Sequence, residues 1–192
     1  MIDAIIFDIG GVLVQTTDLA PRQHWERRLG LPDWGLASAV FDSAPSQRAF
    51  VGAADAAEVW AHAREVFGLN SKETSQLAHD FWAGDSVNTA WITEIAALQQ
   101  RYKIAILSNG WHDMRNRDQR RIDMSGFNPV VYSCEERIRK PNLEIYARTV
   151  TRLGVAPERA LFVDDMPENI AAARAAGLQA RLYVPGMPLL ID

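Results

Sequence analysis

Short apolar runs that end in polar residues, separated by stretches of helical periodicity, constrain the fold of this chain more than any other feature of its sequence. Four such runs are Ala4 to Phe7, Lys103 to Leu107, Val130 to Tyr132 and Ala160 to Val163, and Arg181 to Val184 is a fifth candidate. A continuous apolar run of this length is typical of a strand buried on both faces of a parallel sheet. The pattern therefore predicts an α/β fold with a parallel sheet at its core.

Signals for helix starts and stops lie between these runs. Asn88 and Asn142 each precede apolar residues at helical spacing and are predicted N-caps. Pro167 suits a first helical turn, and Gly154 and Gly177 mark predicted helix ends. Strands that alternate with helices of this length indicate right-handed crossovers, and we predict a three-layer, Rossmann-like core.

Residues 16–84 show a different pattern, with several helical stretches and no convincing strand. Asp55 is followed three positions later by an acidic residue, which is the spacing of a capping box, and Ser71 is the predicted cap of a later helix. A helical block of about 70 residues is too long for an ordinary connection between a strand and a helix. We therefore predict a helical cap at 16–84, inserted into an α/β core made of 1–15 and 85–192.

Composition and charge narrow the classes of function. Lys and Arg number 20 against 24 Asp and Glu, a net charge of −4 that favours neither nucleic acid nor an anionic membrane as a partner. No apolar run approaches the length of about 18 residues needed to span a membrane, and the first residues lack the basic region of a signal peptide. Cys134 is the only cysteine, so we expect a reducing, cytoplasmic compartment, with the protein a monomer or homodimer.

Polar side chains follow three of the predicted strands, and we expect them to meet at one edge of the sheet. Asp8 follows the first strand, Ser108 and Asn109 the second, and Asp164 and Asp165 the fourth. Open α/β sheets bind ligands at this carboxyl edge. Three carboxylates brought together repel one another and raise one another's pKa unless a cation neutralises them. Hard oxygen ligands with no His or Cys nearby favour Mg²⁺ as that cation.

Lys140 offers a positive charge near the same edge, just before a predicted helix. Together with the Ser108 hydroxyl and backbone N–H groups, it would hold the oxygens of a phosphoryl group. A carboxylate that binds the metal and faces phosphorus can act as a nucleophile and split hydrolysis into two displacements. The residues thus predict a metal-dependent site for phosphoryl transfer.

Four segments, in order, resemble the motifs of the haloacid-dehalogenase superfamily. They are Phe7 to Leu13, Leu107 to Asn109, Lys140 to Tyr146 and Phe162 to Asp165, and the helical insertion after the first resembles that family's cap. The resemblance spans essentially the whole chain and is closest to the branch with the phosphatase domain of soluble epoxide hydrolase and bacterial sugar-1-phosphate phosphatases. It implies a magnesium-dependent phosphatase that hydrolyses a small phosphorylated metabolite through an aspartyl-phosphate intermediate.

The resemblance also implies how the metal is held. Asp8 would be both the nucleophile and a Mg²⁺ ligand, and Asp165 would bind the ion directly. Asp164 would reach the ion through a water molecule, and the backbone carbonyl of Gly10 would be a further ligand.

Roles in substrate binding and catalysis follow from the same resemblance. Ser108 would bind the phosphoryl oxygens, with Asn109 beside it in the substrate-binding set. Lys140 would neutralise charge on the nucleophile and on the phosphate, and so belongs to both the catalytic and the substrate-binding sets.

One position departs from the family pattern. Phosphatases of this family usually carry a second Asp two residues after the nucleophile as general acid and base, and here that position is Gly10. Such groups contribute about 10²- to 10⁴-fold to a rate. Asp18, His24 and Glu135 are conceivable substitutes.

Two other functions stay open on the sequence alone. A haloacid dehalogenase shares the Leu-Ser-Asn-Gly segment and the absent second Asp, but works without a metal, which would leave Asp164 and Asp165 as unneutralised charges beside Asp8. A weakly active or inactive protein that binds phosphate or a partner is the other alternative, and Gly10 is its only support.

Overall fold

Five parallel strands form the central sheet of the computed structural model, which describes residues 1–189. Their order across the sheet is β5-β4-β1-β6-β7, and two further strands, β2 and β3, pair with each other outside it. In chain order the strands of this part of the chain are β1 (Ala4–Phe7), β2 (Val14–Thr16), β3 (Asp85–Val87), β4 (Lys103–Ser108), β5 (Val130–Tyr132), β6 (Ala160–Asp164) and β7 (Gln179–Leu182).

Burial explains why the inner strands are continuous apolar runs. Every residue of β1 is fully buried, because neighbouring strands flank it on both sides and helices cover both faces. Four predicted strands are confirmed. The prediction for the fifth is wrong in position, because β7 begins at Gln179 rather than Arg181. As an edge strand paired only with β6, it accepts polar residues that do not read as a buried run.

Ten α-helices lie in residues 1–189, and none has the length and apolar character needed to cross a bilayer. In chain order they are α1 (Ala20–Leu29), α2 (Gly35–Phe41), α3 (Ala44–Ala49), α4 (Ala56–Phe67), α5 (Ser71–Ala83), α6 (Thr89–Leu98), α7 (His112–Gln119), α8 (Ser133–Glu136), α9 (Leu143–Leu153) and α10 (Pro167–Ala175).

The predicted helix caps are largely confirmed. Asn88 and Asn142 accept hydrogen bonds from backbone N–H groups at the starts of α6 and α9, and Asp55 forms a capping box at α4. The prediction that Ser71 caps α5 is wrong by one residue. Asn70 is the N-cap, because its amide oxygen accepts from the N–H of the third helical residue, and Ser71 lies inside the first turn.

Two clusters of buried side chains fill the space on the two faces of the sheet. On one face Ile6 packs with Ile145 of α9 and Ile170 of α10. On the other face Phe7 and Ile106 belong to a cluster that also includes residues of α6 and α7. Helices therefore cover both faces, and the predicted three-layer α/β architecture is confirmed.

Helices α1 to α5, here called the helical insert (residues 20–83), lie between β2 and β3 in the chain. These two strands pair antiparallel, with Val14 opposite Val87 and Thr16 opposite Asp85, so the chain leaves the core and returns to it side by side. The sequence analysis missed both strands because each is short and contains polar residues, so neither forms a continuous apolar run. The division into a core and a separate cap stays a prediction.

Trp111 connects the helical insert to the core. It lies three residues after the end of β4, beyond the carboxyl edge of the sheet, and is fully buried. Its ring centroid lies 6.0–6.2 Å from those of four aromatic side chains of the insert, namely Phe41, Phe50, Trp60 and Trp82. The insert is therefore held against the end of the sheet where the polar residues collect.

Replacing Trp111 by Ala is expected to lower the free energy of unfolding by about 3–5 kcal/mol, because it removes a large buried ring and leaves a cavity. Urea unfolding followed by circular dichroism measures the change. Trp34→Ala is the matched control, since Trp34 is 56% exposed, and it should alter stability by less than about 0.5 kcal/mol. Equal effects of the two substitutions would contradict the anchoring role of Trp111.

Candidate active site

Three carboxylates meet at the carboxyl edge of the sheet. Asp8 follows β1, Asp164 ends β6 and Asp165 comes next, and the side chains each offer an oxygen within 4.8 Å of the others. They converge because β1 and β6 are neighbours in register, with Phe7 opposite Val163. Asp8 and Asp164 are buried, and Asp165 is half-buried. The predicted convergence of the three acids is confirmed.

A single buried ammonium group lies among these acids. The Lys140 Nζ is 2.9 Å from the Asp8 Oδ2 and 2.6 Å from the Asp164 Oδ2, and the side chain is almost entirely inaccessible to solvent. A buried charge is stable only when it is paired and hydrogen-bonded. Three carboxylates facing one ammonium still leave two negative charges in excess.

Burial and mutual repulsion alter the acidity of the cluster. The pKa of Asp8 is raised to about 7, mainly by burial and in addition by the charges of Asp164 and Asp165, while Lys140 opposes the shift. Burial also raises the pKa of Asp165, with Asp164 adding to the effect. Burial disfavours the charge on Lys140, yet Asp8 and Asp164 together hold its pKa above the ordinary value. The metal-free cluster is thus short of positive charge.

Asn169, which the sequence analysis missed, orients Asp164. Its Nδ2 donates to both carboxylate oxygens of Asp164, at 2.9 and 3.0 Å, and the backbone N–H of Met166 donates to Oδ1 at 2.8 Å. With Lys140 on Oδ2, the Asp164 carboxylate is saturated with donors. Only the position of Asn169 in the sequence could have indicated this role, since it lies in the first turn of the helix that follows Asp164 and Asp165.

Asn109 fixes the loop that carries Lys140. Its Nδ2 donates to the Lys140 carbonyl at 3.0 Å, and its Oδ1 accepts from the Lys140 N–H at 2.9 Å. Ser108 ends β4 and is buried at the same edge. The structure thus brings both residues to the site, and their predicted contacts with a phosphoryl group stay a prediction.

The two adjacent glycines after β1, Gly10 and Gly11, differ in backbone conformation and in packing. Gly11 has a φ of +77°, and a Cβ there would lie 2.0 Å from the Asp165 Oδ2, so only glycine allows the Asp165 carboxylate to pack against this loop. Gly10 is exposed, has no positive φ, and a Cβ there would meet nothing within 4 Å. Nothing in the backbone or the packing requires glycine at position 10.

None of the three conceivable substitutes for the general acid lies within 4 Å of the place that a Gly10 side chain would occupy. Glu135 is held by Arg115 through two contacts of 2.5 and 2.7 Å. Asp18 is exposed and accepts from the N–H of Ala20, while His24 is exposed on α1. The space beside Gly10 is therefore open.

Fold and site together define a hydrolase of the α/β class, with its acidic centre at the carboxyl edge of a parallel sheet. The family model of haloacid dehalogenase-like hydrolases matches residues 2–177. The chain therefore belongs to the haloacid dehalogenase-like hydrolase family.

Curated relatives include two larger proteins, which match this chain over only part of their length, and one protein named as a phosphatase. The chain is 28% identical over 188 residues to acyl-CoA dehydrogenase family member 10 of Mus musculus, matching 91% of this chain and 17% of that protein. It is 26% identical to bifunctional epoxide hydrolase 2 of Rattus norvegicus, matching 90% and 34%. Against the sesquiterpene phosphatase astK of Aspergillus oryzae it is 24% identical, matching 91% and 86%. The chain thus spans only about a sixth and about a third of the length of the first two relatives.

Solved structures share the fold. A haloacid dehalogenase family enzyme of Bacteroides thetaiotaomicron, solved with magnesium and inorganic phosphate, superposes with a TM-score of 0.81 at 18% identity, covering 98% of both chains. The L-2-haloacid dehalogenase of Xanthobacter autotrophicus, with chloropropionic acid covalently bound, has a TM-score of 0.65 at 25% identity, covering 94% of this chain and 76% of that one.

Gly11→Ala is expected to lower the free energy of unfolding by at least about 1–3 kcal/mol, because it places a side chain at positive φ against the Asp165 carboxylate. Gly10→Ala is the matched control and should change stability by no more than about 1 kcal/mol. Urea titration of the metal-free proteins measures both. If the two alanines cost the same, the close approach of Asp165 to Gly11 is wrong.

Proposed function

We propose that the protein is a magnesium-dependent phosphatase that hydrolyses a small soluble phosphomonoester, with Asp8 as the nucleophile. The observation that carries the proposal is the buried acid cluster with Lys140 between Asp8 and Asp164. Relatives named as phosphatases support it, and so does the Bacteroides thetaiotaomicron enzyme that binds magnesium and phosphate.

The residues at the sheet edge suit a magnesium ion. The excess of two negative charges beside Lys140 matches the charge of Mg²⁺, and the donors are all oxygens, as Mg²⁺ prefers. Asp8, Asp165 and the carbonyl of Gly10 would hold the ion. Asp164 would stay in the outer shell, because its oxygens are already occupied by hydrogen-bond donors. When bound, the ion supplies positive charge that neutralises the acids and the phosphoryl oxygens.

The reaction then proceeds in two displacements at phosphorus. An oxygen of Asp8 forms a bond to phosphorus while the ester bond breaks, and the leaving oxygen departs with the bonding electron pair. Lys140 and Ser108 bind the phosphoryl oxygens during this step. Water next attacks phosphorus, the bond to the Asp8 oxygen breaks, and inorganic phosphate and the free carboxylate result. The proton lost by water passes to solvent, because no side chain is positioned at Gly10 to take it.

The helical insert would act as a cap, with residues 16–84 over a core made of 1–15 and 85–192. Trp111 supports this proposal, because it packs against the insert and lies three residues after β4, whose end is near Asp8. Closure of such an element excludes water and selects the leaving group. A small phosphorylated metabolite is the substrate class that fits a covered site, and the cytoplasm remains the predicted compartment.

Two alternative functions predict a different dependence of activity on metal. A dehalogenase would work without metal, but the net charge beside Asp8 opposes a metal-free carboxylate nucleophile. A weakly active phosphate-binding protein is favoured by Gly10 and would bind phosphate without turnover. Hydrolysis of an aryl phosphate that depends on added metal separates the phosphatase from both.

Asp8→Asn is expected to abolish the magnesium-dependent hydrolysis of para-nitrophenyl phosphate, because an amide is a poor nucleophile and a poor ligand for Mg²⁺. Release of nitrophenolate with and without Mg²⁺ measures it. Asp33→Asn, which alters an exposed acid, is the control and should keep the wild-type rate. Wild-type activity in Asp8→Asn, or turnover that is indifferent to Mg²⁺, would overturn the proposal.

Gly10→Asp should raise kcat/KM for alkyl phosphates by up to about 10²-fold and change it little for aryl phosphates. An alkoxide needs a proton as it leaves, whereas a phenolate of low pKa does not. The open space and ordinary backbone at Gly10 allow the substitution without strain. Gly10→Asn, which has the same shape but no acidic proton, is the control. A ratio of alkyl to aryl rates that stays the same in Gly10→Asp would show that another group already donates the proton.

A further inference from the structure

Arg139 is a cation beside the catalytic centre that the mechanism does not use. It precedes Lys140 in the chain, yet its side chain leaves the acid cluster and lies over the Phe50 ring of the helical insert, with the guanidinium carbon 5.5 Å from the ring centroid. It is half-buried, and in residues 1–189 no carboxylate forms an ion pair with it. Its charge therefore lies between the insert and the core.

The nearby acids are already neutralised by other arginines. Glu135 binds Arg115, and Glu136 binds Arg152, with contacts of 2.5 and 2.6 Å. Glu144, in the first turn of the following helix, is paired with an arginine of its own helix. An arginine that is left unpaired among paired neighbours is available to an anionic ligand.

The insert approaches the core closely two residues after Phe50, the ring that Arg139 contacts. Gly52, two residues after Phe50, has a φ of +69°, and a Cβ there would lie 2.3 Å from the carbonyl oxygen of Cys134. The same Cβ would lie 3.2 Å from the Nε2 of His112. The insert and the core are therefore in direct contact next to Phe50, so the position of this ring, and of the Arg139 guanidinium over it, is fixed relative to the core.

The geometry of phosphoryl transfer directs the leaving group towards the helical insert. The attacking and leaving oxygens of a phosphoryl transfer lie roughly in line, and the sheet lies beneath Asp8. The leaving group therefore extends outward, to the side that the helical insert covers. Asn109 clamps the backbone of Lys140, so the Arg139 main chain beside it is held in a fixed position relative to Asp8.

We propose that Arg139 is a specificity-determining residue that binds a carboxylate on the leaving group of the substrate. The proposal rests on the proposed phosphatase function and adds to it a substrate class, phosphomonoesters of hydroxy acids. The planar guanidinium forms two parallel hydrogen bonds with a carboxylate, and the Phe50 ring keeps its plane in place.

Two aryl phosphates of similar shape test the proposal. Para-carboxyphenyl phosphate carries the anion, and para-carbamoylphenyl phosphate replaces it with a neutral amide. The wild-type protein with Mg²⁺ should show the higher kcat/KM on the carboxylate. Arg139→Gln should lower the ratio of the two kcat/KM values by about tenfold or more, since a charge-assisted pair of hydrogen bonds is lost, and Arg139→Lys should keep part of the preference. Arg137→Gln, which alters an exposed arginine two residues away, is the control and should keep the wild-type ratio.

The outcomes separate this proposal from the one on which it rests. An unchanged ratio in Arg139→Gln, an equal fall on both substrates, or no preference in the wild type would overturn the role of Arg139 while the phosphatase function stands. Wild-type protein that hydrolyses neither compound in a manner dependent on Mg²⁺ and Asp8 would overturn the phosphatase function, and this proposal with it.

Discussion

The ion pairs of Lys140 with Asp8 and Asp164 are the interaction on which the rest of the site depends. An ammonium buried this deeply is tolerable only with carboxylates at hydrogen-bond distance, and two carboxylates this close are tolerable only with a cation between them. Lys140 and the two carboxylates therefore stabilise one another's charges, although the two carboxylates repel each other. With Asp165, the cluster still has two negative charges in excess. A divalent cation bound there would neutralise them.

The surrounding structure holds these groups in place through backbone contacts. The register of β1 against β6 brings Asp8 beside Asp164, Asn109 clamps the main chain at Lys140, and Asn169 supplies donors to the Asp164 carboxylate. Gly11 lets Asp165 approach where any side chain would prevent it. A site built on strand ends and helix starts, with its charged groups oriented by amide side chains, is preorganised for charge that develops at a phosphoryl group.

Short sequence patterns predicted the strands of the sheet and the acids at their ends, because both depend on neighbouring residues in the chain. Apolar runs ending in Asp8 and Asp164 were readable as strands of one sheet, and strand adjacency then implied that the acids meet. Asn169 was missed because its role depends on a helix turning back towards Asp164, which no spacing rule encodes. The direction of the Arg139 side chain was equally unreadable, since it is set by a ring in a distant part of the chain. The edge strand β7 was misplaced because exposure on one side removes the apolar signature.

Trapping of a phosphoryl group on Asp8 tests the central claim most directly. Protein mixed with Mg²⁺ and para-nitrophenyl phosphate is quenched in acid during turnover, digested, and analysed by mass spectrometry for a hydroxylamine-sensitive acyl phosphate. The account predicts the mass of one phosphoryl group on the peptide that contains Asp8. It also predicts that this species accumulates, because Gly10 supplies no base to activate the water that would remove it. A phosphoryl group on a different residue, or steady turnover with Asp8 never modified, would contradict the account.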